Sequence, residues 1–150
     1  MTFQPSQRFY AFGVANGKKE HYYFYTNKNK KTKKGKKNRK KKKKQRNITA
    51  KMTLDFIKRL HKKYPKLLLV WDKATNHTAR LVQRYIETND IEQEWFPTAC
   101  PEENPMEQNW GFLKDATANT HYPAIQDYKK AVKKQTTKKN LAKMFKYLIA

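Results

Sequence analysis

The sequence predicts an α/β fold, and three features carry that prediction. An aromatic-rich stretch near the start has the alternation of a hairpin. The middle of the chain reads as strand, helix and strand in succession. Stripes of apolar residues at helical spacing fill most of what remains. A chain of 150 residues has room for one domain with a modest core.

Taken in order, residues 8–25 form the expected hairpin. Tyr10, Phe12 and Val14 share one face, Asn16-Gly17 favours a tight turn, and His21 to Tyr25 resumes in strand-favouring aromatics. Residues 28–46 hold twelve lysines, two arginines and no acid. Such a tract buries no apolar surface and is expected to be a solvated loop. From Thr49 to Tyr64 the pattern turns helical, with Met52, Phe56, Ile57, Leu60 and Tyr64 on one stripe and Pro65 as the stop. Asp55, near its start, is assigned to the helix dipole. Lys66–Trp71 reads as a buried strand, Thr78–Thr88 as a helix and Ile91–Trp95 as a second strand, which together make a parallel βαβ unit. Asn104 is a helix cap and Pro105 suits the first helical position. Met106, Trp110 and Leu113 then form the stripe that packs on the sheet. Ala124–Lys134 and Leu141–Ile149 are two further amphipathic helices.

The formal charge of +23 implies an anionic partner, with nucleic acid foremost. Fourteen of those charges lie in the lysine tract, so the rest of the chain carries +9. The single cysteine, Cys100, excludes an internal disulfide and a cysteine-based zinc cluster. No apolar run approaches the roughly 18 residues of a membrane span. The start also lacks the apolar core of a signal peptide, so an intracellular protein is expected: in the nucleoid of a prokaryote or the nucleus of a eukaryote.

Two acids draw attention. Asp72 ends the apolar run Leu67-Leu68-Leu69-Val70-Trp71, and Glu107 lies in the first turn of the helix that follows Asn104-Pro105, with thirty-four residues between them. A carboxylate at a strand's C-terminal edge and one on a neighbouring helix can meet around Mg²⁺ or Mn²⁺, which favour oxygen ligands. Structural roles compete with that reading. A strand-end Asp is a common turn former, and Glu107 can return a hydrogen bond to the Asn104 cap. His77 is open between orienting a ligand carboxylate or phosphate and simple packing.

The run Trp71-Asp72-Lys-Ala-Thr-Asn-His77, then Trp95-Phe-Pro97, Pro101-Glu-Glu-Asn-Pro-Met-Glu107, Trp110 and Lys114 resembles the catalytic core of DDE-type insertion-sequence and mariner-like transposases. The resemblance implies an RNase H-like fold. It also implies that Asp72 and Glu107 are two of three metal-binding carboxylates, with His77, Asn104, Trp110 and Lys114 at matching motif positions. Members of that family cut DNA phosphodiesters with two divalent ions. Lys73 departs from the pattern, standing where the family has Asn, and places a cation beside the expected metal site. The family's first Asp lies on a central strand ahead of the hairpin, whereas residues 1–54 hold only the acid Glu20. The fold is therefore expected to be incomplete, lacking that strand between the hairpin and Lys66–Trp71. The chain is then marginal, pairs its hairpin directly with the central strand, or borrows a strand from a second chain.

The resulting organisation is a hairpin unit over residues 1–27, a lysine-rich insertion over 28–46, the catalytic-core remainder over 47–120 and C-terminal helices over 121–150. The expected function is that of a transposase-type DDE endonuclease and strand-transfer domain, weak or inactive alone. The alternatives are a non-enzymatic lysine-rich nucleic-acid-binding protein and one half of a split transposase. The residues expected to meet DNA are Lys40, Lys41, Lys42, Lys43, Lys44, Lys73, His77 and Lys114.

Overall fold

Alternation along the first strand sorts its side chains into two layers. The computed structural model describes residues 9–16, 19–26 and 48–137. In it β1 (Phe9–Ala15) pairs antiparallel with β2 (Glu20–Thr26), Phe12 opposite Tyr23 and Ala15 opposite Glu20. Phe12 is buried and meets Phe56 at 5.1 Å between ring centroids, while Tyr10, Val14, Tyr23 and Tyr25 flank the same cluster. The opposite face of the hairpin receives other helices. Asn16 and Lys19 bracket the connection between the strands, whose residues 17 and 18 lie outside the described ones. Asn16 N–H donates to the Lys19 carbonyl at 3.1 Å and the Asn16 side-chain oxygen accepts from Lys19 N–H at 2.8 Å, so an asparagine side chain closes it.

The helix α1 (Ala50–Lys63) starts where Thr49 caps it, its hydroxyl accepting from Met52 N–H, and ends at Tyr64 before Pro65. Phe56, Ile57 and Leu60 on its inner face join Leu69, Val82, Ile86 and Ile91 in one core. Asp55 corrects an expectation. It lies past the first turn, accepts a hydrogen bond from Tyr25 at 2.7 Å and pairs with Arg59 at 2.8 Å. Its role is to tie α1 to the hairpin rather than to face the helix dipole.

The strand β3 (Leu68–Trp71), the helix α2 (Arg80–Thr88) and the strand β4 (Glu92–Trp95) form the βαβ unit, with Leu68 opposite Glu92 and Trp71 opposite Trp95 in parallel register. Val82 and Ile86 on α2 are buried at the helical spacing expected. β3 is not buried on both faces, however. Leu69 is covered, but among the described residues nothing fully covers Leu68 and Val70, which are 54% and 50% exposed.

A short 3₁₀ turn (Pro101–Glu103) leads to α3 (Pro105–Thr117), followed by α4 (Ile125–Thr136). Asn104 caps α3, accepting from Met106 N–H at 3.0 Å. Met106 and Trp110 press on β1 at Gly13, where an added Cβ would sit 2.4 Å from the Met106 methyl and 2.9 Å from the Trp110 ring. Only glycine permits that approach. The buried row of α3 is Pro105, Asn109, Leu113 and Thr117, one position off the stripe expected, and α4 meets the hairpin through Tyr128 against Phe9.

The two strand pairs do not join. Among the described residues β1 bonds only to β2, and β3 only to β4, so the direct pairing of hairpin and central strand does not occur. The lysine tract with Lys40 to Lys44, and the helix expected over Leu141–Ile149, lie outside the described residues.

Candidate functional site: two carboxylates on one cavity

A cavity of about 380 Å³ opens between β1 and β3, and both acids line it, together with Asn76, His77, Asn104, Pro105, Met106 and Trp110. Asp72 reaches it from the end of β3, and Glu107 from the first turn of α3. The helix start is delivered there by the proline-punctuated loop 96–104 and held by the Asn104 cap.

The loop after β3 is fixed by a chain of hydrogen bonds. Asp72 Oδ1 accepts from Ala74 N–H at 3.2 Å, and the Ala74 carbonyl accepts from the His77 and Thr78 amides at 2.9 and 3.0 Å. Asn76 donates to the buried Thr53 hydroxyl on α1 at 3.0 Å, and Gln83 on α2 donates to the His77 carbonyl at 2.8 Å. His77 Nδ1 lies 2.7 Å from Asp72 Oδ1 and 3.0 Å from the Asp72 carbonyl oxygen. A carbonyl only accepts, so Nδ1 carries the proton and the imidazole grips Asp72 from its backbone and side chain together. The His77 ring stacks on Trp71 at 4.6 Å, and Trp71 stacks on Trp95 at 5.6 Å. That three-ring stack holds the imidazole in its plane.

The turn-forming role of Asp72 is thus real, but it occupies one carboxylate oxygen and leaves Oδ2 available. The capping-box role of Glu107 is not formed. Asn104 N–H donates instead to the Pro101 carbonyl at 3.0 Å. Among the described residues no hydrogen bond or ion pair engages the Glu107 carboxylate, which is exposed at the cavity mouth.

Lys73 is exposed beside Asp72, and Lys114 is exposed on the last turn of α3, away from Glu107 along the helix. The aromatic stack, the Asn76 tether and the buried Asn109 escape a sequence reading. Asn76 and the stacked Trp71, His77 and Trp95 stand in the quoted motif, but their contacts do not show there, and Asn109 left no trace. Asn109 donates to the Tyr22 hydroxyl at 3.3 Å, which binds α3 to the hairpin. Burial pushes the Glu20 carboxyl above its ordinary range, with hydrogen bonds from Asn109 and Tyr22 opposing the rise.

The donor set on the cavity rim consists of carboxylate oxygens, which suit hard divalent cations. Among the described residues no cluster of three or more histidine, cysteine, aspartate or glutamate side chains assembles a complete metal cage. Asp72 at the end of β3 and Glu107 in the first turn of α3 thus line one cavity of an α/β protein. The model of the family described as DDE superfamily endonuclease matches residues 17–129, and the chain belongs to that family. Its two small sheets and four described helices are a partial RNase H-like fold. The family's endonucleases act on DNA and use divalent metals. A comparison with curated proteins finds no match. Among the described residues no helix is long and apolar enough to cross a membrane.

Proposed function

We propose that the chain is the DDE endonuclease and strand-transfer domain of a transposase, with Asp72 and Glu107 as ligands for Mg²⁺ or Mn²⁺. The observation that carries this reading is the placement of both acids on one cavity, with Glu107 free of any structural partner among the described residues. Divalent ions, when bound, supply activation of the attacking oxygen and stabilisation of the leaving one in phosphodiester cleavage. The residues of the chain have three tasks. Asp72 Oδ2 and the Glu107 carboxylate offer oxygen ligands. His77 keeps Asp72 from rotating away. Lys73, Lys114 and the lysine tract with Lys40 to Lys44 attract the DNA backbone.

Two carboxylates form less than the three this chemistry uses, so cleavage by this chain alone is weak or absent. The test is Mg²⁺-dependent nicking of supercoiled DNA by the purified chain. Trace nicking that disappears in Asp72→Asn supports the reading, and nicking unchanged in both Asp72→Asn and Glu107→Gln refutes it.

A charge of +23 with fourteen cations in one tract favours a second reading, a non-enzymatic nucleic-acid-binding protein. On that reading DNA binding survives Glu107→Gln, collapses on deletion of residues 28–46, and no nicking is seen at any metal concentration.

A further inference from the structure

Two glutamines stand behind the His77 loop, where apolar residues would be the simpler filling. Along β4 the exposed Glu92 and Glu94 alternate with the partly covered Gln93 and Trp95, so Gln93 and Trp95 share one face. From that face two routes lead to His77. Trp95 stacks on Trp71, which stacks on the imidazole. Gln93 Nε2 donates to Gln83 Oε1 at 2.7 Å, and Gln83 Nε2 returns a bond to Gln93 Oε1 at 3.4 Å. The same Gln83 Nε2 donates to the His77 carbonyl at 2.8 Å. A carbonyl only accepts, so the nitrogen end of Gln83 has to face His77, and the reciprocal bonds with Gln93 hold the amide in that orientation.

Resting on the nuclease reading, we propose that Gln83 and Gln93 are positioning residues, which act through His77 to set where the Asp72 carboxylate is held. Both stand outside the motif residues of the sequence. Three observations select this role. His77 Nδ1 meets Oδ1 and the carbonyl oxygen of Asp72 at 2.7 and 3.0 Å, so a tilt of the imidazole moves the carboxylate. The stack on Trp71 fixes the plane of the ring but lets it slide within that plane, whereas the bond to the His77 carbonyl fixes the backbone that carries the ring. A partly covered contact between strand and helix has no hydrogen-bond requirement when its side chains are apolar. Two amides there must find partners, and the partners they find lead to the loop. Groups that orient a metal ligand from behind in this way commonly change metal affinity by about tenfold or more when removed.

The test uses the full chain without metal, as wild type, Gln83→Met and Gln93→Met, since methionine keeps the length of the side chain and removes the amide. NMR follows two signals. The His77 ring protons lie over the Trp71 face and report the stack, and the Ala74 amide, which donates to Asp72 Oδ1 at 3.2 Å, reports the carboxylate. In Gln83→Met the His77 resonances should move toward those of an unstacked imidazole, and the Ala74 amide should exchange about fivefold to tenfold faster. The Ile86 amide on α2 should exchange as in the wild type. Gln93→Met should give the same changes at smaller amplitude. Unchanged His77 and Ala74 signals in Gln83→Met overturn the proposal. Exchange of Ile86 quickened to the same degree also overturns it, by assigning the pair to the stability of the fold alone. If Gln83→Met fails to fold, Gln93→Met decides on the same signals, and a loop identical to the wild type overturns the proposal. A Mn²⁺ titration of the wild type tests the nuclease reading separately: absence of binding sinks that reading, while the metal-free signals still decide whether the pair positions the loop.

Discussion

The contact at Gly13 couples the fold to the site, and Gly13→Ala is the perturbation that exposes it. An added Cβ would lie 2.4 Å from the Met106 methyl and 2.9 Å from two atoms of the Trp110 ring. Ordinary carbon contacts begin near ~3.5 Å, so Met106 must retreat by about 1 Å and Trp110 by about half that. The methionine terminus bends easily, whereas the indole, edge-on to Tyr22 at 5.7 Å between centroids, does not. The start of α3 therefore has to move away from β1, carrying Glu107 with it. Overpacking of this kind costs about 1–3 kcal/mol, or a fall in melting temperature of roughly 3–9 °C for a chain of this size. Thermal denaturation followed by circular dichroism measures the fall. Adding Trp110→Leu to Gly13→Ala should recover much of it relative to Trp110→Leu alone, because the clash partner is gone. A Gly13→Ala protein that melts with the wild type, or a double variant with no recovery, refutes the coupling of β1 to α3.

Three other perturbations follow from particular contacts. Desolvation works against ionised Asp55, but hydrogen bonds from Tyr25 and Arg59 outweigh it and hold the carboxyl below its ordinary range. Its contribution is thus present above the ordinary aspartate range and lost as pH falls toward the folded value. Asp55→Asn should lower stability slightly at neutral pH and flatten that acid limb in urea titrations. Burial raises Glu20 instead, so the folded state binds more protons than the unfolded one just above the ordinary glutamate range. Stability should fall as pH rises through that window, and Glu20→Gln should remove the fall. Asn76→Ala deletes the tether to Thr53 and should cost about 1–2 kcal/mol while increasing amide exchange across residues 72–78.

The helices were legible because their signals are local. Thr49, Asn104 and Pro105 mark starts, and apolar spacing marks the inner faces of α1 and α2. The parallel pairing of β3 with β4 followed from the strand, helix, strand order, which leaves little topological choice. What the sequence concealed depends on partners distant along the chain. Five apolar residues before Asp72 look like a strand covered twice, yet whether Leu68 and Val70 are covered depends on a neighbour that periodicity does not reveal. Asn109 looks like a surface residue and is wholly buried because Tyr22, 87 positions earlier, receives its amide. Asp55 sits near a helix start, and its true partners, Tyr25 and Arg59, appear only once α1 crosses the hairpin. Of the candidate site, the two acids and His77 were visible as a motif. The His77 grip on Asp72 and the stack on Trp71 emerged only from the folded loop.

Whether Asp72 and Glu107 act as one site is tested most directly by Mn²⁺ titration watched by NMR, since the paramagnetic ion broadens amide signals close to it. Simultaneous broadening across residues 72–77 and 104–107, abolished by Asp72→Asn alone, is the outcome expected. Broadening confined to one of the two segments, or persisting in that variant, would contradict a shared cation at the rim of the sheet.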